Sequence, residues 1–322
     1  MDKRLAEIDK ASGIAIILVV FGHMYFPAFE KNEIYDLVRT FVYKIHMPLF
    51  MTLSGFIAFY SFRLKKSEKI ETYKEFIGKK LRKFLPPYIF FPALAIISDV
   101  LIRHVNSPQV YESVYCWFLM PKSGSAGFVW YLYVLFIFYC LLPLIFNLKK
   151  QLLFLIFIGS FFLTNIPATQ LFCTDLVFRY FFFFLGGGLI SSFHDEFFAH
   201  IRKYGWIYLS AFTVLALIDF NIDLRLPFQL LSILFVPAVL YLAGFCFTGQ
   251  SFHILSILGR STFAIYLFSS LVMNIIYLVL SHFFPGWLGP GAMAIIFMCG
   301  LFIPIPIKFL FNSVVPASVY RL

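Results

Sequence analysis

Apolar residues in this chain do not alternate with polar ones. They run in blocks. The first block begins at Ala11 and continues to Phe29, behind a polar lead that holds Lys3, Arg4, Asp9 and Lys10. Further blocks fall near 45–59, 85–102, 128–146, 152–166, 176–192, 205–220, 226–247, onward from 262, and 291–311. Blocks on this scale match what a helix needs to cross a hydrocarbon core roughly 30 Å thick. The pattern predicts an all-α, polytopic integral membrane bundle of about ten transmembrane helices, forming one domain over 1–322. Pro304 and Pro306 are expected to kink the last span.

One polar side chain interrupts the first block. His23 lies roughly 20 Å along a helix from Asp9, at about 1.5 Å per residue. An ionisable group at such depth is costly and faces a bundle interior or a wet cavity, so its first reading is functional. The alternative is a neutral imidazole bonded to a neighbouring helix.

Composition agrees with the pattern. The chain has 322 residues, of which 61% are hydrophobic and 45 are Phe, and its mean hydropathy is +0.86. A soluble domain could not hide that much apolar surface. The first block is too long for a removable signal peptide and lacks a small-residue cleavage site. Net charge is +10. The cations gather in alternate connections, above all Arg63, Lys65, Lys66, Lys69, Lys74, Lys79, Lys80, Arg82 and Lys83. With the N-terminus inside, all but seven of the 26 Lys and Arg fall in inner segments; the seven are Lys31, Arg39, Lys44, Arg103, Lys122, Arg179 and Arg225. That bias predicts a multi-pass protein of the cytoplasmic membrane with both termini cytoplasmic. No nucleic-acid motif is present. The five cysteines have no metal spacing, and a Cys116–Cys173 pairing across two outer loops stays open. His194 and His200 lack a ligand set and read as solvated surface of an inner loop.

The first block also carries a motif. Ile8-Asp9-Lys10-Ala11-Ser12-Gly13, then Gly22-His23, resembles the first membrane helix of the acyltransferase-3 family, the bacterial O-antigen and exopolysaccharide acetylases, with fucose 4-O-acetylase-like proteins nearest in style. Ser12 stands where the family carries a cation. His46-Met47-Pro48-Leu49-Phe50 and Ser54-Gly55-Phe56 resemble the family's second helix, and small Ser54 and Gly55 would admit close helix approach. Lys79-Lys80-Leu81-Arg82 before Pro86-Pro87-Tyr88 resembles its Arg-x-x-Arg ahead of a proline-marked third helix. Trp130-Tyr131-Leu132 and Leu258-Gly259-Arg260, followed by Ile265-Tyr266-Leu267, resemble later family segments.

The resemblance implies a membrane O-acyltransferase. It would take an acyl group, acetyl in the simplest case, from acyl-CoA as donor substrate, with no permanently bound cofactor and no metal. The acceptor would be a hydroxyl of a sugar in a cell-surface glycan or its lipid-linked precursor. His23 is the candidate general base, because a protonated alcohol is a poor nucleophile and imidazole titrates near neutrality. Lys10, Ser12, Lys79 and Arg82 are candidate donor contacts, since the nucleotide is strongly anionic. His46, Trp130 and Tyr131 are candidate acceptor contacts; interfacial placement is the plain reading of the two aromatics. Asp9 is read as capping the helix or ordering the basic inner face, and Gly13 with Ser54 and Gly55 as structural. The competing reading is a proton-coupled transporter or flippase of a lipid-linked sugar. Matched broken helices in two halves would mark that class, and the glycine cluster Gly186-Gly187-Gly188 occurs once.

Overall fold

The computed structural model describes residues 5–29, 32–68, 72–103, 106–222, 226–284, 286 and 288–314. Lys3, Arg4, Lys31, Lys69, Asp223 and Arg225 lie outside the described residues. All regular structure among the described residues is helical. Among the described residues, eight stretches are long and apolar enough to cross a membrane: Glu33–Leu64, Tyr73–Leu101, Gly127–Phe146, Leu171–Ser192, His194–Phe220, Phe228–Cys246, Thr262–Phe283 and Pro290–Val314. The first and fifth expected spans are also helical. Helix α1, Ala6–His23, opens with Glu7, Asp9 and Lys10, and the apolar stretch Gln151–Leu163 is short. The fold is thus an all-α polytopic membrane bundle.

The described residues form two compact units. The first holds residues 1–53 and 193–322 and the second holds 54–192. Helix α2, Glu33–Glu68, belongs in part to each. The second unit continues with α3 (Tyr73–Arg103), α4 (Ser107–Leu119), α5 (Trp130–Phe146), α6 (Lys150–Leu163) and α7 (Thr174–Ser192). The first unit resumes with α8 (His194–Ile222), α9 (Phe228–Tyr241), α10 (His253–Arg260), α11 (Thr262–Phe283), α12 (Pro290–Phe302) and α13 (Pro304–Val314).

Helix ends depart from the hydrophobic blocks in instructive ways. The first block stays apolar to Phe29, yet α1 stops at His23. The charged ends of α2, α3 and α8 continue as helix beyond the apolar run, so much of the expected basic loop and of the His194–Lys203 loop is helical. The outer loop before Gly127 contains α4, whose start is fixed by a capping box between Asn106 and Gln109. The break between α12 and α13 falls at Ile303, just before Pro304.

Pro86 and Pro87 mark no helix start. They lie inside α3, together with Pro92. A proline frees the carbonyl four residues earlier, and buried helices survive this when another group takes that carbonyl. Pro92 frees Tyr88, whose carbonyl accepts the Trp117 indole N–H of α4 at 3.1 Å. Pro48 of α2 frees Lys44, whose carbonyl accepts the Ser232 hydroxyl of α9 at 3.3 Å. Pro86 and Pro87 free Arg82 and Lys83, both exposed residues.

All five cysteines are free thiols, so Cys116 and Cys173 are not joined. Burial, with Glu112 beside it, pushes the Cys116 thiol up and leaves it a poor thiolate.

Candidate active site

Helix α1 places its functional groups at its two ends. Near its N-terminus it crosses α10 at almost backbone contact. A β-carbon on Gly13 would lie 2.1 Å from the Leu255 carbonyl oxygen, and one on Gly259 would lie 1.8 Å from that of Asp9. Only glycine fits at either position. Asp9 pairs with Arg260 Nε at 3.0 Å. Lys10 donates to the Phe247 carbonyl at 2.6 Å, and Lys308 donates to the Arg260 carbonyl at 2.6 Å. Ser12 is buried, 6% exposed. The N-cap of α1 is Leu5, with no side-chain cap. Asp9 therefore ties α1 to α10 and does not cap the helix.

His23 is the last residue of α1 and is half-buried. The turn beyond it is tied down. Met24 N–H and Tyr25 N–H donate to the carbonyls of Phe21 and His23. Tyr35 Oη donates to the Met24 carbonyl. Phe26 stacks on Tyr277 with centroids 4.4 Å apart. His23 thus sits at a rigid corner and not at a frayed end.

Helix α2 presents Arg39, Tyr43 and His46 to this corner, spaced four and three residues apart on one face. Ring centroids stand 6.4 Å apart for His23–Tyr43, 6.5 Å for His23–His46 and 5.0 Å for Tyr43–His46. His46 is 1% exposed, and its Nδ1 lies 2.8 Å from the Val42 carbonyl. A carbonyl only accepts, so Nδ1 carries the proton and Nε2 of the neutral ring is an acceptor. Among the described residues no hydrogen bond reaches His46 Nε2 or either nitrogen of His23. Arg39 lies over Tyr25 at 4.5 Å and bonds Asp36 at 2.8 Å, while among the described residues its buried Nε has no partner.

A part-buried ion pair, with Lys44 27% and Asp219 3% exposed, fixes this part of α2. Lys44 Nζ lies 2.6 Å from Asp219 Oδ2 of α8, and Asp219 Oδ1 accepts the Leu226 N–H at 2.8 Å. With both oxygens used, the buried carboxylate is matched, and the pair acts as a clamp between helices.

In the second unit, Tyr131 is 4% exposed and its hydroxyl lies 2.6 Å from Ser54 Oγ. Trp130 stacks on Tyr180 at 5.4 Å. A β-carbon on Gly55 would lie 2.0 Å from the Phe184 carbonyl oxygen, so α2 and α7 touch there as the small residues predict. Lys79 and Arg82 are exposed on α3. Lys80, between them, lies 3.8 Å above the Tyr139 ring.

The structure therefore brings His23 and His46 together. It leaves Asp9, Lys10, Ser12 and Gly13 at the far end of α1, and it groups Ser54 with Tyr131. Arg39, Tyr43 and Asp219 were not among the candidate site residues read from the sequence. The four-and-three spacing of Arg39, Tyr43 and His46 was the available signal. His194 and His200 lie on α8, where His194 Nδ1 meets Asp195 at 2.9 Å and His200 Nε2 meets the Tyr208 hydroxyl at 3.0 Å. Among the described residues no group of three or more His, Cys, Asp or Glu is placed to hold a metal ion.

Helices of this number and apolarity, with two imidazoles side by side where α1 meets α2, define a polytopic membrane protein. The acyltransferase domain family, acyltransferase-3, matches residues 5–309, and the chain belongs to it. The chain is also similar to the nodulation protein NolL of Mesorhizobium japonicum (strain LMG 29417 / CECT 9101 / MAFF 303099), 24% identical over 224 residues. That alignment covers 68% of this chain and 56% of NolL, so the chain spans a little over half of its relative's length. No solved structure matches the chain.

Proposed function

We infer that the protein transfers an acyl group, acetyl in the simplest case, from acyl-CoA to a hydroxyl of a sugar in a cell-surface glycan or its lipid-linked precursor. His23 is the general base. The hydroxyl oxygen bonds to the thioester carbonyl carbon as His23 takes its proton. The C–S bond then breaks, and the proton leaves on the coenzyme A sulfur. The observation that carries this reading is the placement of His23 at a braced helix end, facing a second imidazole, with both nitrogens unbonded among the described residues. Membership of the acyltransferase family supplies the reaction class.

Lys79 and Arg82, exposed on α3, are the cations proposed to meet the donor's phosphates. The acyl donor is made in the cytoplasm, and the bias of Lys and Arg favours a multi-pass protein of the bacterial inner membrane with both termini on that side.

Purified protein given labelled acetyl-CoA and candidate glycans tests the reading. Label on the glycan is the expected result. Movement of a lipid-linked sugar across vesicles without label transfer would replace the enzyme with a transporter.

A further inference from the structure

The ring centroids of His23 and His46 stand 6.5 Å apart, with the planes at 83°. Ring atoms lie about 1.1–1.2 Å from their centroid, so the nearest nitrogens are at least about 4 Å apart, beyond the reach of a direct hydrogen bond. Nitrogens about 4 to 5.5 Å apart can both bond one oxygen, and centroids at 6.5 Å allow such a spacing.

His46 has a fixed polarity. Its Nδ1–H donates to the Val42 carbonyl at 2.8 Å, so Nε2 carries the lone pair. The Nε2 edge faces α1, since a β-carbon on Gly22 would sit 3.9 Å from it. Val42 lies one turn away on the same helix, so shifts between α1 and α2 leave this polarity intact. His23 has no orienting bond among the described residues. A general base works when a third group turns its lone pair toward the substrate hydroxyl.

We propose that His46 is the positioning residue for His23 and acts through one bridging water. The water accepts the N–H of the nearer His23 nitrogen and donates to His46 Nε2. The chain ends at the Val42 carbonyl. The other His23 nitrogen then points its lone pair at the acceptor hydroxyl, and the same chain stabilises the imidazolium formed when the proton arrives. His46 neither gains nor loses a proton. This role rests on the reading of His23 as the acyl-transfer base.

Full-length protein, assayed with labelled acetyl-CoA and a glycan acceptor, compares His46→Gln, His46→Asn and His46→Ala. Gln sets an amide oxygen near the Nε2 position, whereas Asn reaches only as far as Nδ1. His46→Asn and His46→Ala should lose about 100-fold in kcat, the scale of a misoriented catalytic group, with KM for both substrates within about twofold. His46→Gln should keep about a tenth or more of wild-type turnover. Nitrogen-15 spectra of histidine-labelled wild type should show His46 as the Nδ1–H tautomer and His23 as one tautomer, which becomes a mixture in His46→Asn. Unchanged kcat in all three variants, a loss confined to KM, or an Nε2–H tautomer at His46 would overturn the proposal. Wild type that transfers no label yet shows both tautomers defeats the acyl-transfer reading and leaves the histidine coupling standing.

Discussion

The two ends of α1 differ in how their polar groups are used. At the first, Asp9 meets Arg260, Lys10 meets the Phe247 carbonyl, and the α10 backbone presses against Gly13. At the second, His23 and the Nε2 of His46 carry no hydrogen bond among the described residues, though the corner around them is tightly braced. Matched groups hold helices together. Unmatched groups on a braced frame can meet a substrate without first breaking a bond. The sequence lists charged or polar residues at both ends, and only the pairing tells scaffold from chemistry.

This contrast can be broken at either end. The largest effect should come from His23→Ala, which should lower acyl transfer by about 10^3-fold or more with the thermal transition retained. Turnover within tenfold of wild type would remove His23 from the mechanism. At the other end, Gly13→Ala should cost about 3 kcal/mol, because a β-carbon meets a backbone carbonyl that has no rotamer to change. Thermal unfolding in detergent measures this, and a variant as stable as wild type would mean that α1 and α10 are not in contact as described. Lys44→Met should cost about 2 kcal/mol, since it leaves the buried Asp219 carboxylate with one partner. The double change with Asp219→Asn should recover part of that loss. Lys10→Met should cost about 1 kcal/mol through the lost bond to Phe247, with the donor KM within about twofold. A tenfold rise in donor KM would instead put Lys10 in contact with acyl-CoA. Asp9→Asn should have the smallest effect, less than about 1 kcal/mol, because Arg260 is half-exposed and water screens the pair.

Hydropathy blocks made the helical membrane architecture readable, because a helix interior in lipid must be apolar over a fixed length. They did not report where helices end. His23 terminates α1 although the block stays apolar through Phe26, since the turn there is held by Tyr35, 11 residues beyond Met24, and by Tyr277 from far along the chain. Prolines misled as well. Pro86 and Pro87 read locally as marking the start of the third helix, but α3 begins at Tyr73 and runs through them, and the carbonyls they free belong to exposed Arg82 and Lys83. Within the site, His23 was legible as a polar group alone in an apolar block, and His46 through the resemblance of its His46-Met47-Pro48-Leu49-Phe50 segment. Asp219 was not, because its buried state depends on Lys44, 175 residues away. The role of Gly13 could be guessed as structural, while its partner Leu255 and the helix α10 could not.

The Gly13–Gly259 crossing has a mechanical consequence. With no side chain at either notch, α1 is keyed to α10 like a shaft in a slot, free neither to slide nor to turn. The rigid rod beyond the key then acts as a ruler that sets both the depth and the bearing of His23. Adding one residue between Gly13 and Gly22 would leave the key seated yet swing the imidazole by about 100° and advance it about 1.5 Å.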